Sequence, residues 1–345
     1  MSQSGPVGPA ATLMPLINGF MASRLVQVAS ELAIADRLAD GPKTSAVLAS
    51  ETETHPPSLH RLLRALASLG VLEEVEAGRF ALTTHGASLR SDVADSLRNF
   101  ALMSGTERMW RIWGDLLHSI RTGESAQQHL YGVESFAYFA THPKEAAIFN
   151  QAMADVTRRV TETVVTAGDF ARFRTIVDVG GGNGALIAAI LAATPRLKGI
   201  VFDLPSGNVD APRLLGTAGV ADRSEVVTGD FFHLVPAGAD AYILKNVIHD
   251  WDDERAVAIL KNCRRAMERR ARLLLVERVM PERMEVSARL QQMALLDVHM
   301  LLGPGGRERT DAEFRRLFAA SGLCWAGVLP LSGEFGPSLI EALPT

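Results

Sequence analysis

The chain has 345 residues, of which 47% are hydrophobic and 21% charged, so its composition is globular and excludes disorder over the whole length. Its 35 basic and 39 acidic residues give a net charge of −4, which argues against a generally basic nucleic-acid binder. Two cysteines exclude a disulfide framework and a cysteine-rich metal site. The sequence starts without a signal peptide and has no apolar run long enough to span a membrane, so we expect a cytoplasmic protein.

The first hundred residues predict a disordered tail followed by a small helical domain. Residues 1–12 are rich in Ser, Gly, Pro and Ala, which is typical of a tail. From Leu59 onward, leucines at helical spacing mark one apolar face of a helix, and Gly70 ends that helix. Two short strands around Gly78 follow it as a hairpin. Helices followed by a hairpin have the outline of a winged helix, to which we assign residues 13–100.

This winged helix lacks the charge of a DNA-binding domain. Residues 36–90 contain six basic and seven acidic side chains, and the resulting net charge of −1 does not attract a phosphate backbone. Ahead of it, apolar residues recur at near-helical spacing from Leu13 to Val28, and they are more numerous than one winged helix needs. We therefore predict that this domain joins two subunits into a homodimer and binds no nucleic acid.

The remaining residues, 101–345, predict a helical linker followed by an α/β domain. The sequence is mostly helical up to Gly168, with a loop near residues 123–132. From residue 175 onward, strands alternate with helices, which is the pattern of a doubly wound parallel sheet. The last two strands have no helix between them, so they predict an antiparallel hairpin at the edge of this sheet.

A glycine-rich loop follows the first strand of the α/β domain and opens the next helix. The run from Asp178 to Gly184, DVGGGNG, lets a ligand approach the backbone, and the helix N-terminus behind it offers free amides. Gly180, Gly182 and Ala185 also fit the dinucleotide-binding pattern GxGxxG/A. A nicotinamide cofactor therefore stays open as an alternative at this point.

Carboxylates also end the second and third strands of this domain. Asp203, in FDLP, stands where a carboxylate accepts hydrogen bonds from both hydroxyls of a ribose. Asp230 and Phe231, in GDFF, are suited to bind the amino group of an adenine and to stack on its ring. A nicotinamide cofactor explains Asp203, but it gives no role to GDFF or to His249, which follows the fourth strand.

Five motifs in this order, VDVGGGNG, FDLP, GDFF, LKNVIHDWDDE and PGGRERT, resemble those of the S-adenosylmethionine-dependent small-molecule O-methyltransferases. This family includes the caffeate, hydroxyindole, phenazine and anthracycline O-methyltransferases, and the resemblance covers nearly the whole chain. It implies a Rossmann-like, doubly wound methyltransferase sheet preceded by an α-helical winged-helix dimerisation domain. It also implies S-adenosylmethionine as the cofactor, S-adenosylhomocysteine as its product, and no metal.

The resemblance assigns roles to individual residues. His249 takes the place of the general base, and Glu277 and Glu308 flank its ring. A phenol of pKa about 10 is mostly neutral at pH 7, and an imidazole of pKa about 6.5 takes its proton as the oxygen attacks the sulfonium methyl group. A flanking carboxylate fixes the tautomer and stabilises the imidazolium. The implied cofactor-binding residues are Gly180, Asp203, Asp230, Phe231 and Lys245.

The acceptor is predicted only as a class, a small aromatic molecule that carries a hydroxyl group. By resemblance, Phe149, Met153 and Met300 line its pocket, while contacts from Asp297 and His299 are left open. The alternatives are the same fold and cofactor used for N-methylation, decarboxylation or hydroxylation, and a non-catalytic binding dimer. We favour the O-methyltransferase, because the base and both glutamates are present.

Overall fold

The structure is a computed structural model that describes residues 9–331 and 336–345, with side chains from residue 13 onward. Its packing divides the chain into two units, each with its own hydrophobic core. Each unit is made of two segments of the chain. The first unit contains the described residues up to Trp110 together with Ala147–Asp155. The second unit contains Arg111–Ala146 and Val156–Thr345.

These units differ in two places from the domains expected from the sequence. The division falls after Trp110 instead of after residue 100, and a short part of a later helix joins the first unit. Of the predicted tail, residues 1–8 lie outside the described residues, and the first helix begins at Pro9. Proline is favoured in the first turn of a helix, because its missing N–H would have no partner there.

The first unit is helical and carries one small sheet. Its three strands pair antiparallel in the order β1-β3-β2, and the hairpin of β2 and β3 follows α5 as predicted. Leu48, Leu63, Leu66 and Phe80 are fully buried together between α4, α5 and this sheet. The winged helix is thereby confirmed. In chain order the elements are α1 (Pro9–Ile17), α2 (Gly19–Glu31), α3 (Ile34–Arg37), β1 (Lys43–Thr44), α4 (Ser45–Glu51), α5 (Pro56–Ser68), β2 (Leu72–Glu76), β3 (Arg79–Leu82), α6 (Thr84–Ala87), α7 (Arg98–Ser104) and α8 (Glu107–Gly114).

Four helices connect the winged helix to the large sheet, namely α9 (Leu116–Thr122), α10 (Ala126–Tyr131), α11 (Ser135–Thr141) and α12 (Pro143–Ala167). The prediction of a loop near residues 123–132 is wrong, because α10 lies inside it. Ser125 caps this helix by accepting a hydrogen bond from the amide of Gln128, and Gly132 ends it at a φ of 68°. A helix of six residues leaves too short a periodic pattern to be recognised in the sequence.

The second unit contains a sheet of seven strands in the order β11-β12-β8-β7-β4-β5-β6. Short 3₁₀ turns occur at Phe170–Arg172, Ala221–Arg223 and Ile248–Asp250, and β9 and β10 form a separate parallel pair. The elements are β4 (Thr175–Val179), α13 (Ala185–Ala193), β5 (Lys198–Asp203), α14 (Ala211–Thr217), β6 (Ser224–Thr228), β7 (Ala241–Lys245), α15 (Asp253–Ala266), β8 (Arg272–Glu277), β9 (Val279–Met280), α16 (Ala288–Leu302), β10 (Arg309–Thr310), α17 (Asp311–Ala320), β11 (Leu323–Pro330) and β12 (Ser338–Pro344).

The pairing of these strands confirms the predicted doubly wound sheet. Five strands, β4 to β8, pair in parallel, and the terminal β11 and β12 add an antiparallel hairpin at one edge. The chain moves from β4 outward through β5 and β6, and then returns to place β7 on the other side of β4. Ligand sites form at such a switch point, beyond the carboxyl ends of the strands. Within residues 9–331 and 336–345, no helix combines the length and the apolar content needed to cross a bilayer.

Candidate active site

The glycine loop between β4 and α13 is shaped by left-handed backbone angles. Gly180 and Gly182 have φ values of 73° and 54°, which residues with a side chain rarely adopt. The amides of Gly180 and Gly181 both donate to the carbonyl of Phe202, at 2.8 and 3.3 Å, and so tie the loop to the end of β5. A Cβ atom built on Gly180 would lie 2.8 Å from Cγ2 of Val247, so a larger residue would displace its neighbours.

Asp203 ends β5 directly beside this loop. Its Oδ2 accepts a hydrogen bond from the Gly182 amide at 2.7 Å, and its Oδ1 accepts one from the Leu204 amide at 2.6 Å. Burial raises the pKa of Asp203, and the two backbone hydrogen bonds oppose this rise. Because a carboxylate has about four acceptor positions, these two bonds leave capacity for the predicted ribose contact.

Asp230 and Phe231 follow β6 and have different surroundings. The half-exposed Asp230 accepts a hydrogen bond from the Phe232 amide at 2.8 Å and thereby orders the turn after the strand. The ring of Phe231 packs edge-on against Phe232 and Trp251, with centroid distances of 5.1 and 6.0 Å. A Cβ atom built on Gly180 would lie 3.8 Å from Cε1 of Phe231, so this ring stands next to the glycine loop.

Two ionisable side chains lie on the strands next to this loop, Asp178 in β4 and Lys245 at the end of β7, and the sequence predicts a role only for Lys245. Burial lowers the pKa of Lys245 at the end of β7, while the charges of Asp178 and Glu277 raise it. Burial raises the pKa of Asp178 in β4 to about 7, and Lys245 opposes that rise. Oδ2 of Asp178 has no hydrogen-bond partner in the described part of the chain. The carboxylate inside an otherwise apolar strand is the signal in the sequence that points to Asp178.

The structure brings the three predicted catalytic residues together. His249 lies in the turn after β7 and is 7% exposed. Its Nδ1 is 2.9 Å from Oε1 of Glu308 and 3.7 Å from Oε2 of Glu277. Its Nε2 is 3.5 Å from Oδ1 of Asp250, a contact that the sequence did not establish. Carboxylates therefore face both nitrogen atoms of this buried ring.

The backbone before His249 is held by Glu277. Oε1 of Glu277 accepts hydrogen bonds from the amides of Val247 and Ile248, at 3.0 and 2.8 Å. Asn246 makes the bend after β7 with a φ of 52°, a left-handed angle that Asn tolerates better than most residues. Its amide still donates to the carbonyl of Val276 in β8. Glu277 thus fixes the turn with one oxygen and faces the imidazole with the other.

Glu308 is held through its backbone by a residue whose role was left open. The amide of Glu308 donates to Oδ1 of Asp297 on α16, at 2.8 Å. Burial raises the pKa of Asp297, and this hydrogen bond opposes the rise. Asp297 therefore supports the glutamate that contacts His249, and its contact with an acceptor stays open.

Electrostatics favour a proton on the ring of His249. Burial alone lowers its pKa, but the charges of Glu277, Glu308 and Asp250 raise it to about 9. Burial in turn raises the pKa of Glu277 and brings that of Asp250 to about 7. His249, Glu277 and Glu308 also place one ligand atom each within 4.8 Å of one another, a spacing that suits a metal ion. A protonated imidazole places one positive charge between the same two glutamates.

The residues predicted to line the acceptor pocket fall in both units. Met300 is buried on α16 in the second unit, and next to it His299 stacks on Trp113 with a centroid distance of 6.3 Å and an interplanar angle of 6°. Phe149 and Met153 lie half-buried on the part of α12 that belongs to the first unit. Their contact with an acceptor stays a prediction.

Comparisons with protein families cover both parts of the chain. Residues 113–324 match the family described as O-methyltransferase domain, and residues 14–92 match the O-methyltransferase dimerisation domain. The chain is 44% identical over 343 residues to a phenazine O-methyltransferase, PhzM, of Lysobacter antibioticus, which covers 99% of this chain and 98% of the relative. It is 35% identical over 305 residues to the 8-amino-8-demethylriboflavin N,N-dimethyltransferase of Streptomyces davaonensis, over 87% and 86% of the two chains.

Solved structures agree with these matches. The crystal structure of LaPhzM superposes with a TM-score of 0.92 at 44% identity, over 98% of this chain and 100% of the other. The O-methyltransferase NcsB1 of neocarzinostatin biosynthesis superposes with a TM-score of 0.81 at 34% identity, over 94% and 96% of the two chains. The NcsB1 crystal contains S-adenosylmethionine and 2-hydroxy-5-methyl naphthoic acid.

Proposed function

Given that this chain belongs to the S-adenosylmethionine-dependent small-molecule O-methyltransferases, we propose that it methylates a hydroxyl group of an aromatic, natural-product-like molecule with His249 as general base. The observation that carries this proposal is the buried 2.9 Å contact between Nδ1 of His249 and Oε1 of Glu308. Glu277 at 3.7 Å supplies a second negative charge to the same nitrogen. Such an arrangement suits a base that becomes cationic when it takes a proton.

S-adenosylmethionine is the cofactor of this family and supplies an electrophilic sulfonium methyl group when it is bound. Features of the loop beside β4 fit this ligand. Gly180 admits close approach of a ligand to the backbone, Asp203 keeps acceptor capacity for a diol, and the unpaired oxygen of Asp178 suits an ammonium group. We assign the cofactor to Gly180, Asp203, Asp230, Phe231 and Lys245.

The proton of the acceptor hydroxyl passes to Nε2 of His249 as the oxygen is methylated, because Nδ1 is already engaged by Glu308. With a pKa of about 9, this imidazole is a much stronger base than an ordinary histidine. Its pKa lies close to that of a phenol, about 10, so the proton transfer is nearly balanced. Both glutamates then stabilise the imidazolium that forms. In this mechanism His249 needs no metal ion to activate the hydroxyl group.

We also assign the first unit to homodimer formation, in line with its match to a dimerisation domain. Leu16, Ile17 and Phe20, at the end of α1 and the start of α2, are each more than half exposed, although they are strongly apolar. A contiguous exposed apolar surface marks an interaction site in a water-soluble protein. A second copy of the chain is the partner that the family match favours.

The reaction is tested by an acceptor screen with S-adenosylmethionine that carries an isotope-labelled methyl group. The acceptors are a hydroxyphenazine, a hydroxynaphthoate and 3-amino-4-hydroxybenzoate, and mass spectrometry with NMR locates the transferred methyl group. His249→Ala is expected to lower turnover about 10²–10⁴-fold, the usual range for loss of a general base. Glu341→Gln, a carboxylate paired with Arg172 and Arg272, is the matched control.

The amine-bearing acceptor separates this proposal from N-methylation, the activity in the name of one relative. 3-Amino-4-hydroxybenzoate offers both nucleophiles on one ring, so methylation on nitrogen alone would contradict the proposal. If His249→Ala keeps more than about a third of wild-type turnover on a neutral phenol, His249 is excluded as the base. Activity that survives exhaustive chelation supports the metal-free reaction, and its loss would contradict it.

A further inference from the structure

The guanidinium of Arg309 is fully buried at the edge of the active site. Its Nη1 donates to the carbonyl of Ile248 at 2.9 Å, and its Nη2 donates to that of Trp251 at 2.7 Å. Nε donates to Oδ1 of Asp253 at 2.9 Å, and Nη1 also reaches the carbonyl of Arg307 at 3.3 Å. The side chain therefore joins β10 to both ends of the turn that contains His249.

Charge pairing alone does not explain this burial. A cation is tolerated in a protein interior only when it is paired or well hydrogen-bonded. Among the described residues, the one carboxylate that Arg309 contacts is Asp253, whose side chain is 58% exposed, so water screens its charge. The remaining partners are neutral backbone carbonyls. The guanidinium therefore acts mainly as a rigid fork that holds several oxygens at fixed spacing.

The residues just before Arg309 hold the same turn. The amide of Arg307 donates to the carbonyl of His249 at 2.8 Å. A Cβ atom built on Gly306 would lie 2.1 Å from that carbonyl oxygen, so the two backbones touch with no room for a side chain. Between Arg307 and Arg309 stands Glu308, whose carboxylate contacts Nδ1 of His249. One short segment thus supplies the partner of the base and also fixes the backbone of the base.

We propose that Arg309 is a positioning residue for methyl transfer, locking the His249 turn against the Glu308 segment so that the imidazole keeps its orientation. This inference rests on the proposed function, since it presumes that His249 is the base. Its physical reason is that His249 and Glu308 lie on different elements, and no covalent link sets the 2.9 Å between them. A misplacement of about 1 Å in a reacting group can cost about 10²-fold in rate.

The test compares Arg309→Lys with Arg264→Lys. Lysine keeps the charge, but its single nitrogen cannot reach both the Ile248 and the Trp251 carbonyls in the same way. Arg264 is a matched control, because it also donates to backbone carbonyls, those of Gly322 and Thr345, away from His249. The assay uses whichever hydroxyphenazine or hydroxynaphthoate the wild type methylates fastest, with S-adenosylhomocysteine affinity measured by calorimetry.

For Arg309→Lys we expect kcat to fall about 10–100-fold, while the KM for S-adenosylmethionine and the Kd for S-adenosylhomocysteine stay within about twofold. We also expect the rising limb of the pH–rate profile to move to lower pH, because a displaced imidazole loses part of its contact with Glu308. A residue that merely stabilised the fold would not shift this limb. Arg264→Lys should leave both kcat and the pH profile unchanged.

Several outcomes would overturn the proposal. They are a kcat for Arg309→Lys within about threefold of wild type, an unshifted pH profile, or an equal loss of kcat in Arg264→Lys. If Arg309→Lys does not fold, Gly306→Ala takes its place, because a methyl group there pushes the segment off the turn and should give the same pattern. If neither variant binds S-adenosylhomocysteine, Arg309 serves folding only. Full activity of His249→Ala, by contrast, would contradict the proposed function itself, in which His249 is the base.

Discussion

Replacing Glu308 by glutamine tests the electrostatics of the active site with the smallest change in shape. The substitution keeps the size of the side chain and removes one negative charge that lies 2.9 Å from Nδ1 of His249. Burial lowers the pKa of His249, and three carboxylates nevertheless raise it from 6.5 to about 9, so an equal share of this net rise, about 1 unit, is a lower limit for one of them. A charge pair at 2.9 Å with an effective dielectric constant of about 20 contributes about 6 kcal/mol, or about 4 units, as an upper limit.

We therefore expect Glu308→Gln to lower the pKa of His249 by about 1 to 4 units, which brings it to about 8 or below. The assay is an NMR titration of histidine labelled with ¹³C and ¹⁵N. The chain has nine histidines, and the spectrum of His249→Ala identifies the resonance of interest by its absence. Glu341→Gln makes the same change of charge on a carboxylate that pairs with two arginines, and it should shift this resonance much less.

The reaction rate should follow the titration. At pH 7 only about 1% of an imidazole with a pKa of about 9 is neutral. At pH 7 the variant has more neutral imidazole than the wild type, but this imidazole is a weaker base. The loss of kcat relative to the wild type should therefore be larger at pH 9 than at pH 7. A His249 pKa that stays within about 0.3 unit of wild type in Glu308→Gln would refute the reasoning, because Glu308 would then not be the partner that raises it.

Three further predictions concern the cofactor, the pH dependence and the assembly. Asp203→Ala should weaken S-adenosylhomocysteine binding about 10–100-fold, because hydrogen bonds to a charged group are lost. The control is Asp210→Ala, which removes an exposed carboxylate and should not weaken binding. Equal calorimetric affinities of the two variants would show that the ribose is misplaced. For an acceptor with a pKa of about 10, wild-type kcat/KM should rise with pH up to about 9, because only neutral His249 accepts the proton. An acceptor already ionised at pH 7 should lack this rise. A flat pH profile for both acceptors would contradict the role of His249 as the base. Ile17→Asp combined with Phe20→Asp should give monomers by light scattering, and a wild-type protein that is monomeric and fully active at micromolar concentration would disprove the dimer.

Local patterns in the sequence were sufficient for much of the fold and for the glycine loop. The alternation of strands and helices predicts the parallel sheet, and the missing helix before β12 predicts its antiparallel edge. The glycines of DVGGGNG predict a tight strand-to-helix turn, which Gly180 makes at a φ of 73°. These features depend on neighbours within a few residues, so the sequence records them directly. The six-residue helix α10 was missed because it carries too short a pattern.

The catalytic roles proposed for Glu277 and Glu308 come from a resemblance, and not from spacing. Glu308 lies 59 residues from His249 along the chain, and no periodic pattern links the two. The same holds for Asp297, which accepts the hydrogen bond of the Glu308 amide from 11 residues away along the chain. For Asp178, the sequence shows the position of the carboxylate in its strand. It does not show that this carboxylate is buried or that one of its oxygens has no hydrogen-bond partner among the described residues.

By itself, the sequence determined the order of elements, the glycine loop and the residue types available for acid–base chemistry, since these follow from short-range pattern and composition. Only the tertiary structure decided which charges meet. It buried His249 among three carboxylates and raised its pKa, and it placed the guanidinium of Arg309 on the turn that carries this histidine. The physical reason is that burial and charge pairing depend on distances between segments far apart in the chain, and the packing of strands and helices sets those distances.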